Sequence, residues 1–179
     1  MRRGTGAGHN GRVDADRSSS RFTDPGVSLY ALAEQPIQVV CPSCRDRAEV
    51  APRPTEEPRG RYSTAWPRRL VCGGCGHVRD WPGDATGFAS HWGCGLDPFF
   101  HLPLWLRADC CGGRTLWAFN QPHLDILAGY VGAHLRERGP VGGQTLVARL
   151  PTWLKSASNR AEILRTIDRL RATLASKPA

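Results

Sequence analysis

The residues whose spacing most clearly supports chemistry are four cysteines in two CxxC pairs. The pairs are Cys41 with Cys44 and Cys72 with Cys75. Each CxxC can place two thiolates on one side of a tight turn, and two facing turns make the tetrahedral S₄ cage that a structural Zn²⁺ prefers. The pattern therefore predicts one structural zinc ion. Because four thiolates leave no open position for a reacting water, it favours binding over catalysis.

The elements that must position these cysteines are short β-strands. Segments typical of strands flank both pairs, at residues 37–40, 47–50, 69–71 and 77–81. Glycines at the second pair supply the backbone freedom of a tight metal turn. We therefore predict two metal-joined hairpins, a zinc ribbon over residues 36–84. His77 is interpreted as the first residue of the outgoing strand. The alternative is that it replaces one of the four sulfurs as a metal ligand.

The two cysteine pairs are separated by a long span, whose excess is residues 51–67. This stretch is Pro-rich and shows neither helical nor strand periodicity, so we predict a flexible insertion at the tip of the ribbon. Arginines in and beside it, with neighbouring aromatic side chains, could contact nucleic-acid bases. The predicted contacts are Arg61, Arg68 and Arg69.

A second unit is predicted over residues 97–179. Alternating leucines at 102–106 and a β-prone segment at 115–119 indicate a hairpin, with its turn at residues 110–113. Asn120 is a predicted N-cap for a helix over about residues 121–138. Its apolar stripe comprises Leu124, Leu127, Val131 and Leu135, and Gly139-Pro140 is a typical stop.

The last predicted helix runs from about residue 160 to 176. Asn159 is its expected N-cap, with Glu162 completing a variant of the capping box. The side chains spaced for one helix face are Ile163, Ile167, Leu170 and Leu174. This stripe favours core packing over a groove for a partner. The predicted fold class is α+β: a zinc ribbon followed by a β-hairpin and two amphipathic helices.

The charge distribution suggests a polyanionic partner. The chain of 179 residues has a formal net charge of +8, and residues 149–179 carry seven basic and two acidic side chains. A basic end on a zinc protein favours contact with nucleic acid, although arginines also serve simply to solvate a helix face. The predicted contacts in this region are Lys155, Arg160, Arg165 and Arg169.

Composition and termini limit the remaining classes. Residues 1–25 are Gly- and Ser-rich and are predicted to be a disordered arm. No stretch approaches the roughly 20 apolar residues of a membrane span, and the N-terminus does not resemble a secretory signal. Seven cysteines, mostly clustered in CxxC pairs, fit a reducing compartment better than a disulfide framework, so we expect a cytoplasmic protein.

The other three cysteines are ambiguous. Cys110 and Cys111 are adjacent, and neighbouring side chains of an extended backbone point in opposite directions. We therefore expect one to be a small buried residue and the other a turn residue. The alternative is a second metal site made by His91, Cys94 and one of the adjacent pair.

The CPxC and CxxCGH turns resemble the knuckles of transcription-factor-IIB-type zinc ribbons. Over roughly residues 36–175 the chain is also similar to a bacterial family of small zinc-ribbon proteins, sometimes labelled as related to the zinc region of the replication-restart primosomal helicase. The stretches that carry this similarity are DPFF at 97–100, LPLWL at 102–106, CCG at 110–112, LWAFN at 116–120, HL at 123–124 and LPTWLKSA at 150–157. The resemblance implies zinc at the four paired cysteines and carries over no other role. The Pro-rich span before Cys72 departs from it.

No catalytic template accompanies the cysteines. HExxH, a Walker loop, GxSxG and the zinc-deaminase signature are all missing from the sequence. We therefore expect a non-catalytic zinc-ribbon protein that binds nucleic acid or a transcription or replication machine, with no membrane partner and no small-molecule substrate. The alternatives are a zinc-stabilised adaptor between proteins and, third, a thiol redox enzyme.

Overall fold

A computed structural model describes residues 21–53, 63–83, 92–137, 139 and 144–175. The strands are β1 (Arg21–Thr23), β2 (Ile37–Val40), β3 (Arg47–Pro52), β4 (Arg68–Cys72), β5 (Val78–Trp81), β6 (Arg107–Cys110), β7 (Arg114–Trp117) and β8 (Leu135–Glu137). The helices are α1 (Leu29–Leu32), α2 (Gln121–Gly132), α3 (Thr152–Lys155) and α4 (Arg160–Ala175), with 3₁₀ turns at Ser63–Ala65 and Ala157–Asn159. The predicted α+β class is confirmed.

Strands β2 to β5 form a four-stranded antiparallel sheet in sequence order. The four strands expected around the cysteine pairs are therefore present. Side chains alternate along β4, so that Arg68, Leu70 and Cys72 are buried while Arg69 and Val71 are exposed. One face of the sheet thus contributes to the core and carries a cysteine at its end.

The outer edge of β2 is covered by the following unit. The backbone N–H of Val40 donates to the carbonyl of Pro103 (2.9 Å), and the N–H of Trp105 donates to the carbonyl of Gln38 (3.0 Å). The segment at 102–106, predicted as the first strand of a hairpin with β7, therefore lies against β2 instead. The first strand of the hairpin is β6, which pairs with β7. Residues 102–106 lie against β2 because the polar backbone groups along the edge of that strand need partners once they are buried.

Helix α2 begins where the sequence predicts and ends earlier. Asn120 caps it by accepting a hydrogen bond from the N–H of His123 (3.2 Å). The helix ends at Gly132, so the predicted end near residue 138 is wrong, and Leu135 lies half-exposed in β8 instead of on the apolar stripe. The Arg136 guanidinium donates to the carbonyl of Tyr130 (3.0 Å) and satisfies a carbonyl of the last helical turn.

Strand β8 pairs in parallel with β1, with Arg21 opposite Leu135. Residues 21–23 are therefore a strand, and the boundary of the predicted disordered arm at residue 25 is too late. Residues 1–20 lie outside the described part of the chain. The pairing of β1 gives the backbone of β8 an alternative to continuing the helix.

Helix α4 confirms the predicted apolar stripe. Ile163, Ile167 and Leu170 are buried, and the helix packs on α2 and β6. The predicted capping box is wrong, because the Glu162 carboxylate accepts a hydrogen bond from the N–H of Cys111 and not from the start of its own helix. At the other end, the Arg47 guanidinium donates to the carbonyls of Thr173 (3.3 Å) and Leu174 (2.6 Å), so a side chain of β3 caps the last turn.

His123, in the first turn of α2, is buried between aromatic rings. Its ring lies 5.4 Å from that of Trp117 and 5.8 Å from that of Phe119, and Nδ1 accepts a hydrogen bond from the N–H of Phe119 (3.2 Å). Burial lowers the pKa of His123 to about 3. The histidine is therefore neutral in the folded protein at ordinary pH.

This burial makes stability depend on pH. The unfolded chain, with a histidine pKa of about 6.5, takes up the proton first, so the contribution of His123 is complete above about pH 6.5 and is lost as the pH falls toward 3. Urea unfolding should show a loss of about 1.4 kcal/mol per pH unit in this window that His123→Gln removes. His134→Gln, at an exposed histidine, is the control for replacing a histidine outside the core. An unchanged slope in His123→Gln would contradict the assignment.

Candidate metal centre

The two CxxC turns meet at one end of the four-stranded sheet. The Sγ atoms of Cys41 and Cys75 are 3.7 Å apart, and those of Cys44 and Cys72 are 3.6 Å apart. All four sulfurs lie within 4.8 Å of one another. A regular tetrahedron with metal–sulfur bonds of about 2.3 Å has edges of about 3.8 Å. The four cysteines are therefore already spaced to hold a metal ion.

The two turns have the same backbone construction. In the first, the N–H of Cys41 donates to the carbonyl of Asp46 (2.7 Å) and the N–H of Arg45 donates to the carbonyl of Cys41 (3.0 Å). The second repeats both bonds, from Cys72 to His77 (2.9 Å) and from Gly76 to Cys72 (3.0 Å). The fifth residue of each turn has a positive φ, 68° at Arg45 and 72° at Gly76. Each turn thus brings its two sulfurs to the same side.

Each turn contributes one buried and one exposed sulfur. Cys41 and Cys72 lie against the core, whereas Cys44 and Cys75 are exposed. A bound ion would therefore lie at the surface of the sheet, with its inner side shielded from water.

The protonation of the cluster shows why it suits a cation. The backbone N–H of Asp46 lowers the pKa of Cys44, but hydrogen bonds with Cys75, Cys72 and Cys41 and the partial loss of water at the crowded cluster together outweigh it and raise the pKa to about 12. The backbone N–H of His77 and the hydrogen bond from Cys44 lower the pKa of Cys75 to about 7. Their neighbours thus shift the pKa values of Cys44 and Cys75 in opposite directions. A divalent cation bound by these sulfurs would displace thiol protons and balance the thiolate charge.

Arg68 and Arg69, both expected to contact nucleic acid, lie on opposite faces of β4. Arg68 is completely buried, so that expectation is wrong for this residue: its Nη1 donates to the carbonyl of Ala33 (2.6 Å) and its guanidinium lies 4.2 Å from the centre of the Phe99 ring. Arg69 is exposed, but its guanidinium binds both carboxylate oxygens of Asp80, at 2.8 and 3.0 Å. This fork-shaped pairing uses two of its five N–H donors and neutralises its charge with a carboxylate.

Two further expected contacts hold parts of the chain together. The Lys155 ammonium donates to the carbonyl of Ala148 (3.3 Å), and the Arg160 guanidinium donates to the carbonyl of Ala133 (3.2 Å). Both side chains are half-buried. Arg61 lies outside the described residues.

Arg165 and Arg169 remain as exposed basic residues of the expected set. They lie one turn apart on α4 and line a shallow depression whose other residues are Glu162, Thr166, Asp168 and Ala172. Arg169 donates a hydrogen bond to the hydroxyl of Thr166 (3.0 Å). Arg165 makes no ion pair or hydrogen bond within the described part of the chain.

A second group of potential ligands differs from the one that the sequence suggested. Cys110, Cys111 and Glu162 place two sulfurs and a carboxylate oxygen within 4.8 Å of one another. Cys94 is exposed and belongs to neither group, and His91 lies outside the described residues. Sequence reasoning missed Glu162 because it is remote from the adjacent cysteines along the chain.

Comparison with known proteins adds no assignment: no protein-family model, curated protein or solved structure matches this chain. Among the residues that the structure describes, no helix is both long and apolar enough to span a bilayer. Function must therefore be inferred from the geometry of the sites.

Proposed function

We propose that Cys41, Cys44, Cys72 and Cys75 hold one structural Zn²⁺ and that the four-stranded sheet is a zinc ribbon. The sulfur spacing and the all-thiolate donor set support this proposal, and S₄ geometry is typical of zinc or an iron–sulfur centre. The resemblance of the two turns to transcription-factor-IIB-type knuckles favours zinc. Elemental analysis of protein purified under reductant and treated with a weak chelator should find one zinc and no iron per chain.

The protein acts by binding rather than by catalysis in this proposal, and its ligand is nucleic acid. Four thiolates complete the coordination of zinc, so the ion stabilises the fold and activates no water. The observation that carries the nucleic-acid assignment is the exposed pair Arg165 and Arg169 on α4. Exposed guanidinium groups one helical turn apart can each pair with a phosphate of a polynucleotide backbone.

The helix that carries these arginines is firmly held. Its opposite face is buried through Ile163 and Ile167, and Arg47 caps its C-terminal end. Phosphate contacts made by Arg165 and Arg169 would therefore need little ordering of the backbone on binding. This rigidity supports a role for α4 as the contacting element.

Binding to labelled single-stranded DNA, duplex DNA and RNA, measured over a salt series, tests the proposal. Affinity should fall as salt rises, and the double variant Arg165→Gln with Arg169→Gln should bind more weakly. On duplex DNA it should also flatten the log–log salt slope by about 0.9 for each phosphate that the variant no longer neutralises. Arg69→Gln is the matched control, because that exposed arginine is already paired with Asp80.

The absence of salt-dependent binding to any of these probes would contradict the proposal. So would a double variant that binds as tightly as the Arg69→Gln control does. Either result would show that α4 does not bind nucleic acid through Arg165 and Arg169.

A second candidate function, an adaptor between proteins, is favoured by a different surface. Val71 and Val78 are paired across β4 and β5 and are 43% and 53% exposed. β5 is the outer strand of its sheet, and an exposed apolar pair beside an outer strand is typical of surfaces that bind another protein. A protein partner that stays bound after nuclease treatment would favour this function over nucleic-acid binding.

A further inference from the structure

The turn between β6 and β7 contains an unusual pair of thiols. Cys110, the last residue of β6, is buried, and Cys111 is half-buried. Their Sγ atoms are only 2.8 Å apart. Adjacent cysteines in an extended strand would direct their sulfurs to opposite faces, so this turn must depart from strand geometry.

The departure is a left-handed backbone at Cys111. Its φ is 52°, and the following Gly112 and Gly113 also have positive φ, at 75° and 84°. A non-glycine residue seldom adopts this conformation. The reversal of the chain at Cys111 removes the alternation and brings both sulfurs to one side, which corrects the sequence-based expectation that the two thiols would diverge.

A carboxylate from another element completes the group. The Oε1 atom of Glu162, in the first turn of α4, accepts a hydrogen bond from the N–H of Cys111 (2.5 Å). This bond fixes the carboxylate beside the two sulfurs, and buried Ile163 next along α4 anchors the helix that presents it. Three potential ligand atoms from two distant segments therefore converge.

We propose that Cys110, Cys111 and Glu162 form a second metal site, which takes a thiophilic divalent cation such as Zn²⁺ or Cd²⁺. Two thiolates select a soft or borderline cation, and the carboxylate adds a third ligand. Three protein ligands leave a fourth position for water, unlike the closed set of four thiolates. Arg114 lies opposite Cys110 across the hairpin and offsets the net negative charge of the loaded site.

The sulfur spacing predicts the order in which the two sites fill. In the four-cysteine cluster the sulfurs are already 3.6–3.7 Å apart, close to the spacing of a tetrahedral site. Cys110 and Cys111 must separate by about 1 Å to reach the same geometry. The second site should therefore bind more weakly and fill after the first.

Cadmium titration of the reduced full-length protein, followed by native mass spectrometry, tests the proposal. We expect two equivalents, of which a weak chelator removes only the second. Cys111→Ser should abolish the second equivalent, and Glu162→Gln should weaken it at least tenfold, in the range seen for changes around metal sites. Both variants should retain the first equivalent, which shows that they fold. Cys94→Ser, at an exposed thiol outside both groups, is the control and should bind two.

Two results would overturn the proposal. The first is saturation at one equivalent in the reduced protein. The second is retention of the second equivalent by Cys111→Ser, or its loss in Cys94→Ser. The first and second equivalents are measured separately. A protein that binds no second cation would therefore not contradict metal binding by the four-cysteine cluster.

Discussion

Protein carrying Cys41→Ser is expected to lose the folded structure of β2 to β5. Removing one of four thiolates would leave the proposed zinc cage incomplete. Apparent zinc-binding energies of about 10–16 kcal/mol in small zinc modules match or exceed the roughly 5–15 kcal/mol that stabilises a whole domain. Hydrogen–deuterium exchange should show the amides of this sheet becoming unprotected. Chelation of the metal from the unchanged protein should give the same pattern.

Cys94→Ser provides the comparison for this effect, because Cys94 is exposed and lies outside both ligand groups. Its exchange pattern should match that of the unchanged protein. Protection of β2 to β5 that survives both Cys41→Ser and complete chelation would show that no metal stabilises the sheet.

The second large effect is expected at Arg68. Arg68→Ala would leave a cavity beside Phe99 and remove the donor to the carbonyl of Ala33, both in the core. We expect a loss of about 3 kcal/mol or more in the free energy of unfolding, measured with urea. Arg68→Met, which keeps most of the volume, should lose less than Arg68→Ala because mainly the hydrogen bond is removed.

Arg69→Ala is the matched control for this measurement. Arg69 is the next residue of β4, but it is exposed and its ion pair with Asp80 faces solvent. Exposed pairs contribute up to about 1 kcal/mol. Equal losses in Arg68→Ala and Arg69→Ala would show that the two faces of β4 have been assigned incorrectly.

The contrast between these two arginines shows why part of the fold could not be predicted. Arg68 and Arg69 have the same chemistry and are neighbours, so composition places both at the surface. Only the register of β4, set by its pairing with β3 and β5, decides that Arg68 points inward. A buried arginine also requires partners from elsewhere in the chain, here Ala33 and Phe99, which no local pattern reveals.

Features that depend on near neighbours were predictable. The strands around the cysteines, the cap at Asn120 and the apolar stripe of α4 each follow from residues a few positions apart. The early end of α2 could not be predicted in this way, because it depends on the pairing of β8 with Arg21–Thr23, more than a hundred residues earlier. Local helix signals cannot register a competing partner so far away.

The candidate sites divide in the same way. The four-cysteine cluster was predictable because CxxC spacing fixes the geometry within each pair. The group at Cys110 and Cys111 was not, because it requires both a left-handed residue in the turn and a carboxylate from another helix. Glu162 also has an ordinary helix-capping interpretation in the sequence, which conceals its position beside the thiols.

The contacts of the Arg47 side chain bear on whether the four-stranded sheet could fold as a separate domain. It extends from β3, beside the cysteine turns, to the carbonyls that end α4, while Pro103 and Trp105 complete the backbone bonding of β2. A fragment of residues 36–84 would leave these groups without partners and would expose apolar surface that now belongs to a common interior. We therefore expect that the sheet with its cysteines does not fold as an isolated fragment. Its folding should be cooperative with that of the final helix.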